Sequence, residues 1–406
     1  MSREGQEWFS AFGISEDISF EFLMSHKRPI DSCVFAVLVA AMLLSAGGCG
    51  DMPGDFQNAD EEKFWDRVYE ARGEHEENYR RLDRALDRDA DDIEARIARG
   101  HAFLQDDDTQ SALFDFRQAI EQDERNPRAQ CGLIEALIAV DSIAEAIRSI
   151  RQLKTWAPEY APAFYLLGTI LTSQEQYDEA IKQFDKAIRL NPTYSDAYAG
   201  RATARLADDP EAQDEALTDY RRALYFDPQS RKANDDCGRL LLLAEQYDAA
   251  IRTFGRLIDI APGDPEGYSG LGIALSRQEL YDKALVQFDR AVDLDGYQVD
   301  TFVERARVYL AKERPHMASS DLDDAISLDR NNAEAYYLRG ESHRAIGQSY
   351  LAVEDYTEAI RLAPKHAKAY YGRAAANEEI NRYQQARRDR RKALRLDPSL
   401  EYGEDL

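Results

Sequence analysis

The chain has 406 residues, 44% of them apolar and 31% charged, with a formal charge of -25 and a pI near 4.7. That is ample apolar material for folded cores, while so acidic a surface repels phosphate backbones and sets nucleic acid aside as a partner. The cysteines show no CxxC spacing and the six histidines are scattered, so neither a metal site nor a cofactor is expected.

Residues 1–48 read as a signal segment. His26, Lys27 and Arg28 supply a basic start. Cys33–Ala46 is apolar and uncharged but shorter than the ~20 residues a membrane span needs, and Ser45, Ala46, Gly47 and Gly48 are small. Met24 opens a better-formed signal than Met1, because residues 1–23 are acidic and mixed. The run Ser45–Gly50 resembles a bacterial lipobox, although Ala46 stands where leucine is usual. The resemblance implies lipidation of Cys49 and membrane contact through that lipid only. Ordinary cleavage with secretion, or an uncleaved anchor, fits the same run. Residues 49–58, polar with Gly and Pro, read as a tether. The isolated Cys131 and Cys237 read as small buried thiols.

From about residue 59 to 400 the sequence repeats every 34 residues, leaving 401–406 as a tail. In 161–194, Phe164, Leu167, Gly168 and Leu171 fall on a first helix and Ala180, Phe184 and Ala187 on a second, with Pro192 closing the unit. Tyr336, Gly340, Ala352, Tyr356, Ala359 and Pro364 repeat the pattern in 333–366. The frame recurs from 93, 127, 161, 195, 231, 265, 299, 333 and 367, giving nine clear repeats. The copy from 195 carries two extra residues in its Ala207–Gln213 loop. A degenerate tenth from 59 keeps Trp65, Tyr69, Leu82 and Ala85 as an amphipathic helix pair.

The pattern resembles the tetratricopeptide repeat family. This implies an all-α, right-handed superhelical solenoid of antiparallel helix pairs. One pair cannot bury its apolar face alone, so stacking supplies the core. Gly168, Gly238, Gly272 and Gly340, with Ala180, Ala250, Ala284 and Ala352, mark close approaches of the two helices, and large residues such as Phe184 and Tyr356 fill the space between units. The last second helix places Arg390 at a position that is aromatic or leucine elsewhere. It reads as a polar cap, with docking of its basic run Arg387–Lys392 on an acidic partner as the alternative.

Five repeats carry arginine at their seventh position: Arg99, Arg201, Arg305, Arg339 and Arg373. The same five carry aspartate before the large residue of the second helix: Asp115, Asp219, Asp321, Asp355 and Asp389. Elsewhere both change together, so an ion pair between the helices is expected in each of the five, inside one repeat.

No Walker A, HExxH or GxSxG motif occurs, Gly270 and Gly272 lack the third glycine of a dinucleotide fingerprint, and Asp106–Asp108 lacks the spacing of a calcium loop. No enzyme is expected. The reading is a scaffold that holds protein or peptide partners, with the first helices lining its concave groove. The side chains expected to point into that groove are Tyr165, Thr169, Arg239, Arg307, Tyr337, Glu341 and Tyr371, beside Ile273 and Leu310. The family's two-carboxylate clamp uses lysine and asparagine where this chain has Ile97 and His101, Tyr165 and Thr169, or Tyr337 and Glu341, so it is not carried over. The resemblance also suggests an accessory role in envelope assembly or polymer export. A carbohydrate-binding protein would instead need a dense aromatic platform, and an enzyme a cluster of perturbed ionisable groups.

Overall fold

A computed structural model describes residues 58–402, Gly296 excepted. The signal segment, Cys49, the tether up to residue 57 and the final residues 403–406 lie outside the described residues. The repeats belong to the compact unit Lys63–Leu406; the unit Met1–Glu62 contributes only residues 58–62, the start of the first helix.

The described residues form nineteen α-helices. A long α1 (Asn58–Arg88) is followed by nine pairs: α2 (Ile93–Gln105) and α3 (Thr109–Gln122); α4 (Pro127–Ala139) and α5 (Ile143–Trp156); α6 (Ala161–Ser173) and α7 (Tyr177–Leu190); α8 (Ser195–Asp208) and α9 (Gln213–Phe226); α10 (Arg231–Leu243) and α11 (Tyr247–Ile260); α12 (Pro265–Arg277) and α13 (Tyr281–Leu294); α14 (Val299–Ala311) and α15 (Pro315–Leu328); α16 (Ala333–Ala345) and α17 (Ser349–Leu362); α18 (Ala367–Glu379) and α19 (Tyr383–Leu396). Residues 401 and 402, expected in the tail, close a 3-10 turn, Pro398–Tyr402.

Each pair is a helical hairpin packed on the next. First helices of successive repeats also touch, as α2 does α4 and α17's neighbours α16 and α18 do each other, whereas second helices do not to a comparable extent. The stack therefore bends toward the first helices, which form its inner face. The tight turn inside eight of the nine repeats holds one residue at positive φ, from Asp107 (59°) to Asn381 (62°), with Gly347 alone supplying the residue best suited to it. The longer loop after α8 needs none.

The glycines answer to rings. A Cβ on Gly168 would lie 2.7 Å from the Phe184 ring, and one on Gly200, in the next repeat, 2.6 Å from the same ring. Phe116, Phe254 and Tyr356 sit equally between a glycine of their own repeat and one of the next. One flat ring thus closes both the hairpin and the stack, and these rings are 0–1% exposed.

The helix pair expected from 59 does not form. α1 runs unbroken for 31 residues through Gly73. Every other repeat has alanine at the twentieth position, from Ala112 to Ala386, or two residues later at Ala216 where the loop is longer, and there the second helix meets the first. Here that place is Asn78, and the facing position, an apolar glycine, alanine or isoleucine in the other repeats, is Asp66. A hairpin would press two polar side chains together, while Glu, Ala and Arg around Gly73 favour continued helix.

α1 instead makes two separate contacts. Its C-terminal half lies on the first clear repeat: Leu82 and Leu86 pack with Ala95, Tyr79 donates to Asp106 at 2.8 Å, and His75 bonds the same carboxylate at 2.9 Å. Toward its N-terminal end, Phe64 and Val68 join Ile258, Tyr268 and Ala291, and Arg67 pairs with Asp259 at 3.1 Å. The helix bridges the start of the array and the repeats from 231 and 265.

Candidate partner-binding groove

The inner face is built from three rows of first-helix side chains, at the second, fifth and ninth positions of each repeat. Their spacing of three and four residues puts them on one helical stripe.

Of the residues expected there, the tyrosines are half-buried against the stack. The Tyr165 ring lies 5.4 Å from Tyr194 and 6.0 Å from Phe184, and burial raises its hydroxyl pKa. Tyr337 lies 4.8 Å from His366 and 6.1 Å from Tyr356. The Arg390 guanidinium sits over Tyr371 at 5.7 Å and bonds Glu378 at 3.1 Å. Thr169 turns its hydroxyl back to the Tyr165 carbonyl at 3.2 Å, and Glu341 accepts from the Tyr356 hydroxyl at 2.6 Å.

The arginines expected to point into the groove are ion-paired there. Arg239 is 55% exposed but pairs with Asp235 at 2.9 Å and with Glu266. Arg307 pairs with Glu334 at 2.5 Å and Glu304 at 3.3 Å. Each ninth-position arginine reaches the second-position acid of the next repeat, so these pairs link repeats along the groove floor. The signal was present in the sequence, since Glu266 and Glu334 each follow an arginine by 27 residues.

A hollow of about 720 Å³ opens across α10, α12 and α14. Asp235, Glu266, Asp300 and Glu304 outnumber Arg239 and Arg277 in its walls, and Leu242, Leu243 and Ile273 supply apolar footing. Leu243 is 74% exposed. Burial raises the pKa of Glu266, with Arg239 opposing it. These acids and leucines were not singled out from sequence. A second acidic stretch lies over α4 and α8, where Glu135 is pushed up to about 7 by burial and by the charge of Asp196. His101, 3.5 Å from Glu135, has its pKa lowered by burial and by Arg128.

All five arginine–aspartate pairs are in contact. Arg99 reaches Asp115 at 2.7 and 2.8 Å, Arg201 reaches Asp219 at 2.8 and 2.6 Å, and Arg305 reaches Asp321 at 2.8 and 2.7 Å. Arg339 meets Asp355 at 2.7 Å and Arg373 meets Asp389 at 2.8 Å. The same guanidiniums also hold the preceding repeat, through Asp83, Asp185, Asp289, Asp323 and the Thr357 hydroxyl. This inter-repeat half was missed. Its signal is that the matching position before a repeat without arginine is Arg117, Arg151, Arg221 or Gly255.

Sequence profiles of the tetratricopeptide repeat match residues 161–194, 103–170, 333–366, 367–400 and 238–299, together more than half of the chain. The chain is 31% identical over 97 residues to a UDP-N-acetylglucosamine–peptide N-acetylglucosaminyltransferase of Giardia intestinalis, spanning 24% of this chain and 6% of that protein. It is 27% identical over 143 residues to Hsp70-Hsp90 organizing protein 1 of Glycine max, spanning 35% and 23%. The chain thus spans less than a quarter of the length of these curated relatives. Among solved structures, the APC/C hetero-tetramer Cut9-Hcn1 superposes with a TM-score of 0.62 at 17% identity, over 74% of this chain and 60% of that one. That likeness speaks for the fold alone.

Proposed function

Because this chain belongs to the tetratricopeptide repeat family, whose repeats serve as protein-interaction scaffolds, we propose that its concave face over α10, α12 and α14 grips an extended segment of a partner protein. The observation that carries this reading is the hollow in which Leu243 and Ile273 lie between rows of charged side chains. Apolar side chains of the partner would cover the leucines, and a basic side chain would answer the surplus of acids. Residues 1–48 and Cys49 support a further proposal, that the scaffold is exported and held at a membrane by a lipid on Cys49. The acyl chain, and not the repeats, would then make the membrane contact.

The test is affinity capture from intact envelopes with the wild-type chain and with Leu243→Ala combined with Arg239→Ala, helical content being checked in parallel. Equal capture by a folded variant would move the partner off the groove. Cys49→Ala should shift the protein from the detergent phase to the aqueous phase; a mature N-terminus elsewhere, unmodified by mass, would remove the anchor.

A further inference from the structure

The five clamps define a slot between adjacent repeats. Its three corners are the seventh-position side chain, the residue before the large side chain of the same repeat's second helix, and the residue after the large side chain at the matching place in the preceding repeat. In four of the five slots an arginine lies between two carboxylates. Where arginine is missing, Leu133, Leu167 and Leu271 fill the first corner with an apolar side chain.

The repeat from 231 does neither. Its corners are Cys237, Thr253 and Arg221. Cysteine is shorter than leucine and far shorter than arginine, and all three corners line an open cleft of about 400 Å³. Arg252, Arg256, Leu224, Leu241 and Tyr225 complete its walls. The charge arrangement of the clamp is inverted: the Arg221 guanidinium stands where four of the clamp slots have a carboxylate, a corner that Arg117 and Arg151 also occupy beside the leucines of the repeats from 127 and 161. Arg221, Arg252 and Arg256 are exposed, and none makes an ion pair among the described residues; Arg221 donates a 3.4 Å hydrogen bond to Gln246. Tyr225, at the rim, is 80% exposed.

We infer that this cleft between α9, α10 and α11, away from the concave hollow, is a docking site for an acidic segment of a partner protein, with a carboxylate taking the missing place in the slot and a neighbouring apolar side chain resting on Leu224 and Tyr225. Charge complementarity selects this occupant. Three guanidiniums without carboxylates around one open cleft form a local positive site on a chain of net charge -25. Arginine forks bind carboxylates in two parallel hydrogen bonds, and arginine and tyrosine are the side chains that most often anchor a partner.

The experiment uses the full chain and two labelled hexapeptides, one alternating glutamate with leucine and one alternating glutamine with leucine, read by fluorescence anisotropy. The glutamate peptide should bind at least ~10-fold more tightly, and weaken as salt rises. Arg252→Gln with Arg256→Gln should lower its affinity at least ~10-fold, whereas Leu243→Ala with Arg239→Ala in the groove should leave it within about twofold. Cys237→Arg, Thr253→Asp and Arg221→Asp together rebuild the clamp used by the chain's other repeats. That variant should keep its helical content and lose the peptide. Equal affinity for the glutamine peptide, retention by the folded Arg252/Arg256 variant, or loss through the groove variant instead would each overturn the assignment.

Discussion

Asp219 accepts two parallel hydrogen bonds from Arg201, at 2.8 and 2.6 Å, and is 2% exposed. Arg205 adds a third at 2.7 Å, and Arg201 also reaches back to Asp185 at 2.6 Å. A carboxylate so enclosed depends on its cations. Arg201→Ala should cost about 3 kcal/mol in chemical denaturation, mostly by leaving Asp219 underpaired. Arg201→Leu with Asp219→Gln imports the combination of the repeat from 161, Leu167 with Gln183, and should cost far less than Arg201→Ala. Arg80→Ala on α1, which breaks an exposed pair with Glu76, should change nothing measurable.

Two glycines should respond in opposite directions. A Cβ on Gly270 would lie 2.3 Å from the Phe254 ring, so Gly270→Ala should destabilise by about 1–3 kcal/mol through overpacking. Gly255 sits inside α11 with nothing within 4 Å of such a Cβ, so Gly255→Ala should stabilise by about 0.5–1 kcal/mol through helix propensity alone. Thermal melts of the two single variants decide it.

Glu135 gives the fold a pH dependence of definite sign. Its folded pKa is raised to about 7, by burial first and by Asp196 second, so the folded chain holds this proton more tightly than the unfolded one. Stability from this group is present below the ordinary glutamate value, falls as pH rises to about 7, and stays lower above it. Solvent tempers the effect, since 38% of the side chain faces the groove. Glu135→Gln should therefore melt higher than wild type at pH 8, and the gap should close at about pH 4.

The bridge made by α1 predicts a local release. Val68 is fully buried among Ile258, Tyr268 and Ala291. Val68→Asp should free the N-terminal half of the helix while Tyr79, Leu82 and Asp83 keep the other half in place. Hydrogen exchange should rise from Phe64 to Tyr69 and around Tyr268, and stay unchanged near Phe103. Uniform protection throughout would count against the bridge.

The helix pairs were legible because their pattern is local and repeated: a small residue, an alanine and a large side chain, a ring in six of the nine units, place both helices. The arginine–aspartate contacts were legible because two positions change together. The second partner of each arginine was written just as clearly in Asp185 and Asp289, but one repeat earlier than the frame in which the pairing was sought. The pairing of Arg239 with Glu266 was missed for the same reason: the groove is made between repeats, and reading one repeat at a time makes its arginines look unopposed. The pair expected from 59 on Trp65, Tyr69, Leu82 and Ala85 failed for another reason. Gly73 stands where the turn would fall and permits one, but the hairpin also needs the small contacts that Asp66 and Asn78 deny.

The same helix changes what kind of spring the array is. A stack of hairpins yields by small rotations at each junction, shared along its length. With α1 seated both on the repeat from 93 and on those from 231 and 265, rotations in the first part of the stack are coupled, and elongation there must first detach Phe64 and Val68. Among the described residues, the repeats from 299 onward carry no such brace. Compliance is therefore graded along one continuous chain, with a stiff base and a yielding tip, and the hollow over α10, α12 and α14 straddles the border between them.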